Sequence, residues 1–493
     1  MLLLGVDIGT SSCKITVFDF GGKVVATATK SYKTYYPALY QVEQKPGDWW
    51  NGFCAAMTDI TKKVRPIDIV AVGVAGQSWS AIVVDRVGDV LYDNPIWMDN
   101  RATDACAYIC DKVPANEIFD ICGNLVEPMY TTPKILWFKN EYPDVYKRAY
   151  KIMQSNSYMV YKLTGEYTHD LSQGYGLHFF DMQKGKWDID IALALGIDPN
   201  LMPDLFCSSH IVGSITKEAA RATGLLEGTP VVAGGLDAAC STLGAGVIEP
   251  GQTQAQGGTA GGMSLCLEKY KTHPKLIMSQ HVIKNRWLLQ GGTVGGGGVL
   301  RWLKDHVLGL GYDEMSILAA KSTLGSGGLV FLPYMSGERS PIWDKNAQGV
   351  FFGLDYSKTN ADIIRAAMEG VAFSLLHNLD TAHEVGVNAS TFNLVGGIAN
   401  SETWLQILAD VTGKTICIPS SDTGTNLGAA ILAGMGIGVY ANADDAVRKT
   451  ISIKNEISPC LNNHEKYKRY YQIYRKLYQN TKQTMKELSE LRD

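Results

Sequence analysis

Two aspartates in short apolar segments are the residues of this chain best suited to chemistry, and the first is Asp7. It follows the apolar residues 2–6 and precedes a turn of one glycine and three hydroxyl residues. In such a turn the backbone N–H groups and the hydroxyls can donate hydrogen bonds to phosphate oxygens, and the neighbouring carboxylate can hold Mg²⁺ through water. The segment therefore predicts Asp7 as a metal ligand, with phosphate bound by Thr10, Ser11, Ser12 and Lys14. The alternative is a polar hairpin with a capping aspartate.

The second aspartate, Asp237, lies in the segment GGLDAA and is the only charged residue between Glu227 and Glu249. A lone carboxylate is costly to bury in apolar surroundings unless it has a partner or a task. This predicts a general base or a second metal ligand. The alternative is a cap for a helix that begins at Ala238.

Three glycine-rich turns in the second half could hold a nucleotide. Gly258 and Thr259 follow one strand-like segment, and a run of glycines that includes Gly297 separates a second strand from a helix. The third turn consists of Gly396 and Gly397, with Asn400 close behind. A glycine loop before a helix N-terminus is a natural anion site, so the three turns together predict a nucleotide clamp. The pattern of a Walker P-loop is not met, and no dinucleotide fingerprint follows the first strand.

The elements that position these residues alternate between strand and helix patterns. Residues 2–8, 14–20 and 23–29 read as an antiparallel meander, and residues 49–60 have apolar side chains at helical spacing. A second strand–turn–strand unit begins near residue 252, which predicts two similar α/β lobes over residues 1–246 and 247–493. Residues 464–491 read as an amphipathic helix that packs on one of the lobes, with a return to the first lobe left open.

Composition excludes several classes of function. The 493 residues carry 45 Lys and Arg against 49 Asp and Glu, so neither a basic nucleic-acid footprint nor a polybasic membrane patch is expected. Ten cysteines are too dilute for a disulfide scaffold and predict reduced thiols in a cytoplasmic protein. The apolar start of the chain is too short for a signal peptide.

Longer motifs resemble the FGGY family of carbohydrate kinases, part of the actin/hexokinase/Hsp70-like ATPase superfamily. The resemblance is carried by residues 129–141 (MYTTPKILWFKNE), and by residues 349–354 (GVFFGL) continued by residues 362–369. It runs from residue 2 to about residue 436 when the aspartate and glycine turns are included. Residues 331–341 (FLPYMSGERSP) make the chain most similar to the xylulose kinases of that family.

The resemblance implies two ribonuclease-H-like lobes around a deep cleft, with ATP mostly on the second lobe and a sugar mostly on the first. It implies that Asp237 is the catalytic base and that Asp7 binds Mg²⁺ and phosphate. The other implied roles are phosphate contacts for Thr10, Thr259 and Gly297, adenosine contacts for Gly396, Gly397 and Asn400, and sugar contacts for Gln77, Ser78, Trp79, Trp97 and Asp99.

The implied reaction transfers the γ-phosphate of ATP to a primary hydroxyl of an open-chain ketose, with D-xylulose as the first expectation. Two departures weaken that choice: Ser78-Trp79-Ser80 stands where these kinases tend to carry Met-His-Gly, and Ala238 where they carry Asn. L-xylulose, ribulose, fuculose, gluconate and polyols therefore remain alternatives, since a pocket discriminates by hydroxyl pairing. An ATP-driven switch without enzymatic activity is the alternative from another class. The expected partners are ATP and a sugar, and a homodimer is compatible.

Overall fold

The computed structural model describes residues 1–420 and 424–491 and shows two α/β lobes. Each lobe is built on a seven-stranded sheet flanked by helices. The first lobe contains the strands β1 Leu2–Ile8, β2 Ser12–Phe18, β3 Val24–Ser31, β4 Glu43–Gln44, β5 Ile69–Gly76, β6 Ile82–Val84, β7 Asn94–Pro95, β8 Lys151–Met153, β9 Thr168–Asp170, β10 Phe180–Asp181, β11 Lys186–Trp187, β12 Asp204–Phe206, β13 Ile211–Ser214, β14 Pro230–Val232 and β15 Gly235–Leu236. Its helices are α1 Pro46–Thr61, α2 Thr103–Lys112, α3 Ala115–Cys122, α4 Thr131–Glu141, α5 Pro143–Arg148, α6 Ser155–Thr164, α7 Ile189–Ala194, α8 Lys217–Thr223 and α9 Asp237–Gly244.

The second half of the chain contains the strands β16 Gln252–Gly257, β17 Gly261–Leu267, β18 Ile277–Gln280, β19 Trp287–Thr293, β20 Val330–Leu332, β21 Val350–Phe352, β22 Thr391–Val395, β23 Thr415–Pro419 and β24 Ile453–Ile457. Its helices are α10 Gly297–Trp302, α11 Tyr312–Lys321, α12 Asn360–Glu384, α13 Glu402–Thr412, α14 Gly424–Gly436, α15 Ala443–Thr450 and α16 Leu461–Glu490. Short 3₁₀ segments lie at Pro66–Asp68, Leu171–Gly176, Pro199–Leu201, Ser326–Gly328 and Gly397–Asn400, and α10 continues as a π-helix over Leu303–Leu308.

The two large sheets share one plan. In the first, β1 pairs antiparallel with β2, β2 pairs antiparallel with β3, and β1 also pairs in parallel with β5. In the second, β16 pairs antiparallel with β17, β17 pairs antiparallel with β19, and β16 pairs in parallel with β22. The predicted meander and its echo near residue 252 are therefore confirmed. The boundary between residues 246 and 247 stays a prediction.

Helix α14 comes from the second half of the chain but packs against β1, β5 and α9 of the first lobe. Its sequence, GTNLGAAILAGMG, consists mostly of small residues, which lets backbones approach closely. A side chain at Gly5 or Gly73 would overlap backbone carbonyls of this helix, and one at Gly428 would overlap the carbonyl of Cys240 in α9. Asn426 Nδ2 also donates to the Gly5 carbonyl at 3.0 Å. The helix thus links the two lobes beside the end of β1.

Helix α16 confirms the predicted amphipathic C-terminal helix, and it packs on the second lobe against α12, α13 and β20. The return to the first lobe that the sequence left open is not what the structure shows. Tyr467 donates to the buried Glu369 carboxylate at 2.7 Å, and Tyr474 receives a hydrogen bond from Tyr334 at 2.7 Å. These bonds between buried polar groups hold the helix to the lobe that contains Glu369 and Tyr334.

The lobes also touch at the edge strand β18. The side chain of Asn124, just after α3, donates to the Met278 carbonyl and accepts the Met278 N–H, each at 2.9 Å. Gln280 Nε2 and Trp287 Nε1 both donate to the Met182 carbonyl. The Asn124 side chain therefore pairs with the backbone of an edge strand of the second sheet, and two second-lobe side chains bind a first-lobe carbonyl. No described helix is long and apolar enough to cross a membrane.

Candidate active site

Three cavities that share lining residues form one cleft between the lobes. The central cavity, about 400 Å³, contains both Asp7 and Asp237. The lateral cavity, about 320 Å³, shares Asp7 with the central one and adds Lys14. The outer cavity, about 910 Å³, shares Gly258 with the lateral cavity. The three connected cavities can hold a small polar molecule at one end and a much larger ligand at the other.

Sheet geometry brings the two aspartates together. Asp7 lies on β1 opposite Lys14 of β2 and Ala75 of β5. Asp237 begins α9 directly after β15, which pairs with the end of the same β5. Gly234 makes the turn into β15 with a φ of 72°. Glycine is required there because a Cβ would overlap the Val74 carbonyl. Both carboxylates therefore point into the central cavity.

Burial changes the protonation of both carboxylates. The pKa of Asp7 is raised to about 7, first by burial and then by the charge of Asp237, while Lys14 acts in the opposite direction. The pKa of Asp237 is raised to about 6 by burial, with the Ala238 N–H acting against the shift. Asp237 Oδ1 accepts this N–H at 2.6 Å, but α9 begins at Asp237 itself and has Leu236 as its N-cap, so the capping alternative is not what the structure shows. A carboxylate with a pKa near neutrality suits a general base.

Asp7 and Asp237 fit a divalent cation. Asp7 Oδ1 is buried and has no hydrogen-bond partner in the described part of the chain. Mg²⁺ is usually held by one or two carboxylates together with waters and phosphate oxygens, and this pair offers that donor set. Within residues 1–420 and 424–491, no cluster of three or more His, Cys, Asp or Glu could hold a metal without such help.

Aromatic side chains of the first lobe form one wall of the central cavity. Trp97 Nε1 donates to Thr10 Oγ1 at 2.9 Å, which leaves the Thr10 hydroxyl free to donate its own proton. Trp79 adopts a φ of 56°, and its Nε1 is buried without a partner among the residues that the structure describes. Ser78 accepts a hydrogen bond from Tyr175 at 2.5 Å. All five side chains line the cavity, so the predicted group of Thr10, Ser78, Trp79 and Trp97 is assembled there.

The outer cavity gathers the predicted nucleotide residues. Gly258, Thr259, Gly297, Gly397 and Asn400 all line it, although they come from three separate turns. Their close packing is visible in the backbone: the Gly297 N–H donates to the Gly258 carbonyl at 2.7 Å, and the Gly298 N–H to the Thr259 carbonyl at 2.9 Å. Gly396 lies at the junction and lines the lateral cavity. Arg301 Nη2 donates to Thr259 Oγ1 at 2.8 Å and places a cation at this turn.

Four predicted residues line none of these cavities. Asp99 is wholly buried, and its carboxylate is paired with Arg101 at 2.7 Å and with the Val42 N–H at 2.6 Å. Gln77 is 1% exposed and donates to Gln44 Oε1 at 2.8 Å. Ser11 and Ser12 belong to the Asp7 turn but are not among the lining residues. This geometry gives Asp99 a structural role, because Arg101 already neutralises its charge.

Sequence reasoning missed several residues at the site. Tyr175, Ser241, Gln256, Gln290 and Arg339 all line the central cavity. Of these, only Arg339 lies in a stretch that sequence analysis singled out, residues 331–341.

Lys134 was missed too, although it belongs to the motif of residues 129–141. It is wholly buried on α4, and its ammonium donates to the carbonyls of Trp79 and Ile96, each at 2.8 Å. Burial lowers its pKa to about 7. Lys134 thus positions both segments that carry the tryptophans of the cavity wall.

Comparison with known proteins identifies the family. Residues 2–244 match the N-terminal domain of the FGGY family of carbohydrate kinases, and residues 257–437 match its C-terminal domain. The chain belongs to the FGGY family of carbohydrate kinases.

Xylulose kinase of Escherichia coli (strain K12) is 31% identical over 485 residues, covering 97% of this chain and 99% of that protein. Xylulose kinase of Bacillus subtilis (strain 168) is 30% identical over 486 residues, covering 97% of each chain. The crystal structure of xylulose kinase from Rhodospirillum rubrum is similar with a TM-score of 0.91 and 27% identity, over 98% of this chain and 100% of that one.

Membership of the FGGY family accounts for the architecture of the cleft. The expected fold, two lobes of the actin/hexokinase-like type, is confirmed, and the chain is a carbohydrate kinase with ATP and a sugar as its substrates. This finding excludes the ATP-driven switch without enzymatic activity.

Proposed function

We propose that this kinase phosphorylates D-xylulose on its primary hydroxyl to give D-xylulose 5-phosphate. The observation that carries the proposal is the central cavity of about 400 Å³, which Asp237, a carboxylate with a raised pKa, lines together with Trp79 and Trp97. The xylulose kinases that match the chain over nearly its whole length support the choice of sugar. Gluconate, other ketoses and polyols are the remaining candidates, because Ser78, Trp79 and Ala238 line the central cavity, where they would contact the hydroxyls of the acceptor.

In this proposal Asp237 is the general base. A sugar hydroxyl is a weak nucleophile at neutral pH, and Asp237 accepts its proton as the oxygen attacks the γ-phosphorus of ATP in line. The proton moves to the carboxylate, the new O–P bond forms, and ADP leaves towards the outer cavity. Phosphoryl transfer depends mainly on positioning and electrostatics, which the aromatic wall and the glycine turns provide.

The phosphates are proposed to lie along the lateral cavity. Lys14 supplies a cation there, and the Thr10 hydroxyl has a free proton to donate. Gly258 and Gly396 line this cavity, and their turns pack closely, since a Cβ on Gly396 would lie 2.8 Å from the Gly257 backbone. Asp7 and Asp237 would hold Mg²⁺, which when bound neutralises phosphate charge. Asp7 would keep the cation beside the turn that contains Thr10.

The adenosine is proposed to occupy the outer cavity. Gly297, Gly397 and Asn400 line its walls, and Met368 and Trp404 add apolar surface. A cavity of about 910 Å³ is large enough for a nucleoside.

A coupled assay of ADP release with Mg·ATP tests the substrate. The panel contains D-xylulose, L-xylulose, D- and L-ribulose, L-fuculose, gluconate, glycerol and erythritol. We expect D-xylulose to give the highest kcat/KM. A higher kcat/KM for any other member would replace D-xylulose as the substrate while keeping the kinase activity.

A cytoplasmic location and a homodimer complete the proposal. The ten cysteines are free thiols, which supports a reducing compartment. Light scattering coupled to size-exclusion chromatography measures the mass of the protein in solution, and a monomer mass would contradict the dimer.

A further inference from the structure

Arg339 brings an unpaired positive charge from the second lobe into the central cavity. It lies in the connection between β20 and β21 and lines the central cavity, whose lining also includes Trp79 and Trp97 of the first lobe. Its side chain donates from Nη2 to the Thr293 carbonyl at 3.3 Å, while Nε is buried without a partner among the described residues. No ion pair satisfies the guanidinium within that part of the chain. A buried charge in this state is costly unless a ligand pairs with it.

The position of Arg339 is fixed by its neighbours. Three consecutive side chains, Glu338, Arg339 and Ser340, bind three consecutive backbone units of β19 and the residue after it. Glu338 Oε1 accepts the Val294 N–H at 2.6 Å. Ser340 Oγ accepts the Gly292 N–H at 2.6 Å and donates to the Gly292 carbonyl at 3.1 Å. The guanidinium is thereby held against the backbone of Gly292.

Gly292 makes room for the guanidinium. A Cβ at this position would lie 2.9 Å from the Arg339 Cζ and 3.0 Å from Nη2, so a side chain there would displace the arginine. The same loop is anchored at its other end, where Trp343 Nε1 donates to the Lys275 carbonyl at 2.9 Å. These contacts hold the Arg339 side chain in a defined position beside Gly292.

Arg339 lines the central cavity together with Asp237, Trp79 and Trp97, and it lines neither the lateral nor the outer cavity. Gly292 pairs with Gly262 on β17, which is three residues beyond Thr259 of the phosphate turn. Ile277 and Gln290 line the same cavity.

We propose that Arg339 binds the acceptor sugar, donating hydrogen bonds from its guanidinium to sugar oxygens on the face opposite Trp79 and Trp97. A guanidinium presents several N–H donors in a planar fork, which matches neighbouring oxygens of a polyhydroxylated chain better than a lysine ammonium does. Arg339 is thus a specificity-determining residue contributed by the second lobe. This inference rests on the proposed function, because it takes the ligand of the central cavity to be the acceptor sugar.

Equilibrium binding by calorimetry on Arg339→Met and Arg339→Lys tests the proposal. The acceptor is titrated alone, and Mg·ADP is titrated separately. We expect the Kd for the acceptor to rise by about tenfold or more in Arg339→Met, as loss of a hydrogen bond to a charged group predicts, with a smaller rise in Arg339→Lys. The Kd for Mg·ADP should stay within about twofold, because Arg339 lies outside the nucleotide cavity. Arg286→Met, which removes another second-lobe arginine, should change neither constant.

Two results would overturn the proposal. If the Kd for Mg·ADP rises and acceptor binding is unchanged, Arg339 is assigned to the phosphates. If the binding of both ligands is unchanged, Arg339 has no binding role. Arg339→Lys keeps the charge and serves if the methionine variant does not fold. Failure of the proposed function is separate: wild-type protein that binds no D-xylulose refutes that substrate, and the comparison is then made with the panel sugar that the wild type phosphorylates.

Discussion

At the scale of single residues, the two buried carboxylates explain both the chemistry and a cost in stability. Asp7 and Asp237 line one cavity, and the charge of Asp237 adds to burial in raising the pKa of Asp7. Such clustering of like charges is typical of active sites, where it is kept because a ligand or cation relieves it. The next two predictions separate these effects.

Asp237→Asn should remove most of the kinase activity and leave nucleotide binding intact. The amide keeps the shape of the carboxylate but cannot accept the proton of the sugar hydroxyl. We expect kcat to fall by about 10²- to 10⁴-fold, the usual contribution of a general base. The measurement is the coupled assay together with the Kd of Mg·ADP. A kcat near the wild-type value would show that another group accepts the proton.

Asp7→Asn should stabilise the ligand-free protein at pH 8. The native pKa of about 7 lies above the unfolded value of 3.8, so the folded state binds the proton more tightly. The contribution of Asp7 to stability is therefore full below about pH 4 and lost as the pH rises through 7. In EDTA, the variant should melt at a higher temperature than the wild type at pH 8, and the difference should shrink towards pH 5. An equal difference at both pH values would mean that ionisation is not its cause.

The residues also show what sequence could and could not predict about the site. Asp7 was found from the glycine and hydroxyl turn that follows it, and Asp237 because it is a lone charge in an apolar segment. Asp99 was assigned to the sugar, but its carboxylate is taken by Arg101, a neighbour whose opposite charge was visible in the sequence. Arg339 was quoted within a motif but given no role, because its unpaired state depends on which groups the fold brings near it.

At the scale of elements, close backbone packing fixes how α14 joins the first lobe. Periodicity predicted the meander of β1, β2 and β3 and the helix α1, because their apolar residues alternate or repeat at the helical period. It gave no place for α14, whose residues are small and apolar all round. Its position depends on glycines from other parts of the chain, Gly5, Gly73 and Gly244, that only the fold brings into contact with it.

Gly428→Ala should destabilise the protein by about 1–3 kcal/mol, the usual cost of overpacking. The added Cβ would overlap the Cys240 carbonyl, and both helices would have to separate. Gly47→Ala is the matched control: this helical glycine of α1 is exposed and has nothing within 4 Å of the added Cβ. The control should be neutral or slightly stabilising, since alanine favours helix. Equal midpoints of urea unfolding for the two variants would contradict the tight packing of α14 against α9.

At the scale of the whole molecule, the lobes are joined on two sides of the cleft. Helix α14 packs on the first sheet on one side, and the Asn124 side chain binds Met278 of β18 on the other. Asn124 and Met278 are 154 residues apart. A single side chain that binds the backbone of an edge strand produces no repeating pattern in the sequence. Sequence therefore predicted two lobes, but not the contact that brings their cavity walls together.

Asn124→Ala should loosen that contact and weaken sugar binding. The two hydrogen bonds to Met278 are worth about 0.5–1.5 kcal/mol each, so their loss should raise the KM for the sugar by about tenfold. Asn124 also donates to the Tyr175 carbonyl at 3.4 Å, which ties the contact to the cavity wall. The KM for ATP should change little, because Asn124 does not line the nucleotide cavity. Steady-state kinetics with each substrate varied in turn measures both constants.

A second readout separates lobe closure from simple loss of fold. If the contact helps to exclude water from the cleft, its removal should increase hydrolysis of ATP in the absence of sugar, because water then takes the place of the acceptor hydroxyl. Asn51→Ala, at an exposed position of α1, is the control and should change neither KM nor hydrolysis. An Asn124→Ala protein with unchanged sugar KM and unchanged hydrolysis would mean that the Asn124 contact is not needed to hold the lobes in their working arrangement.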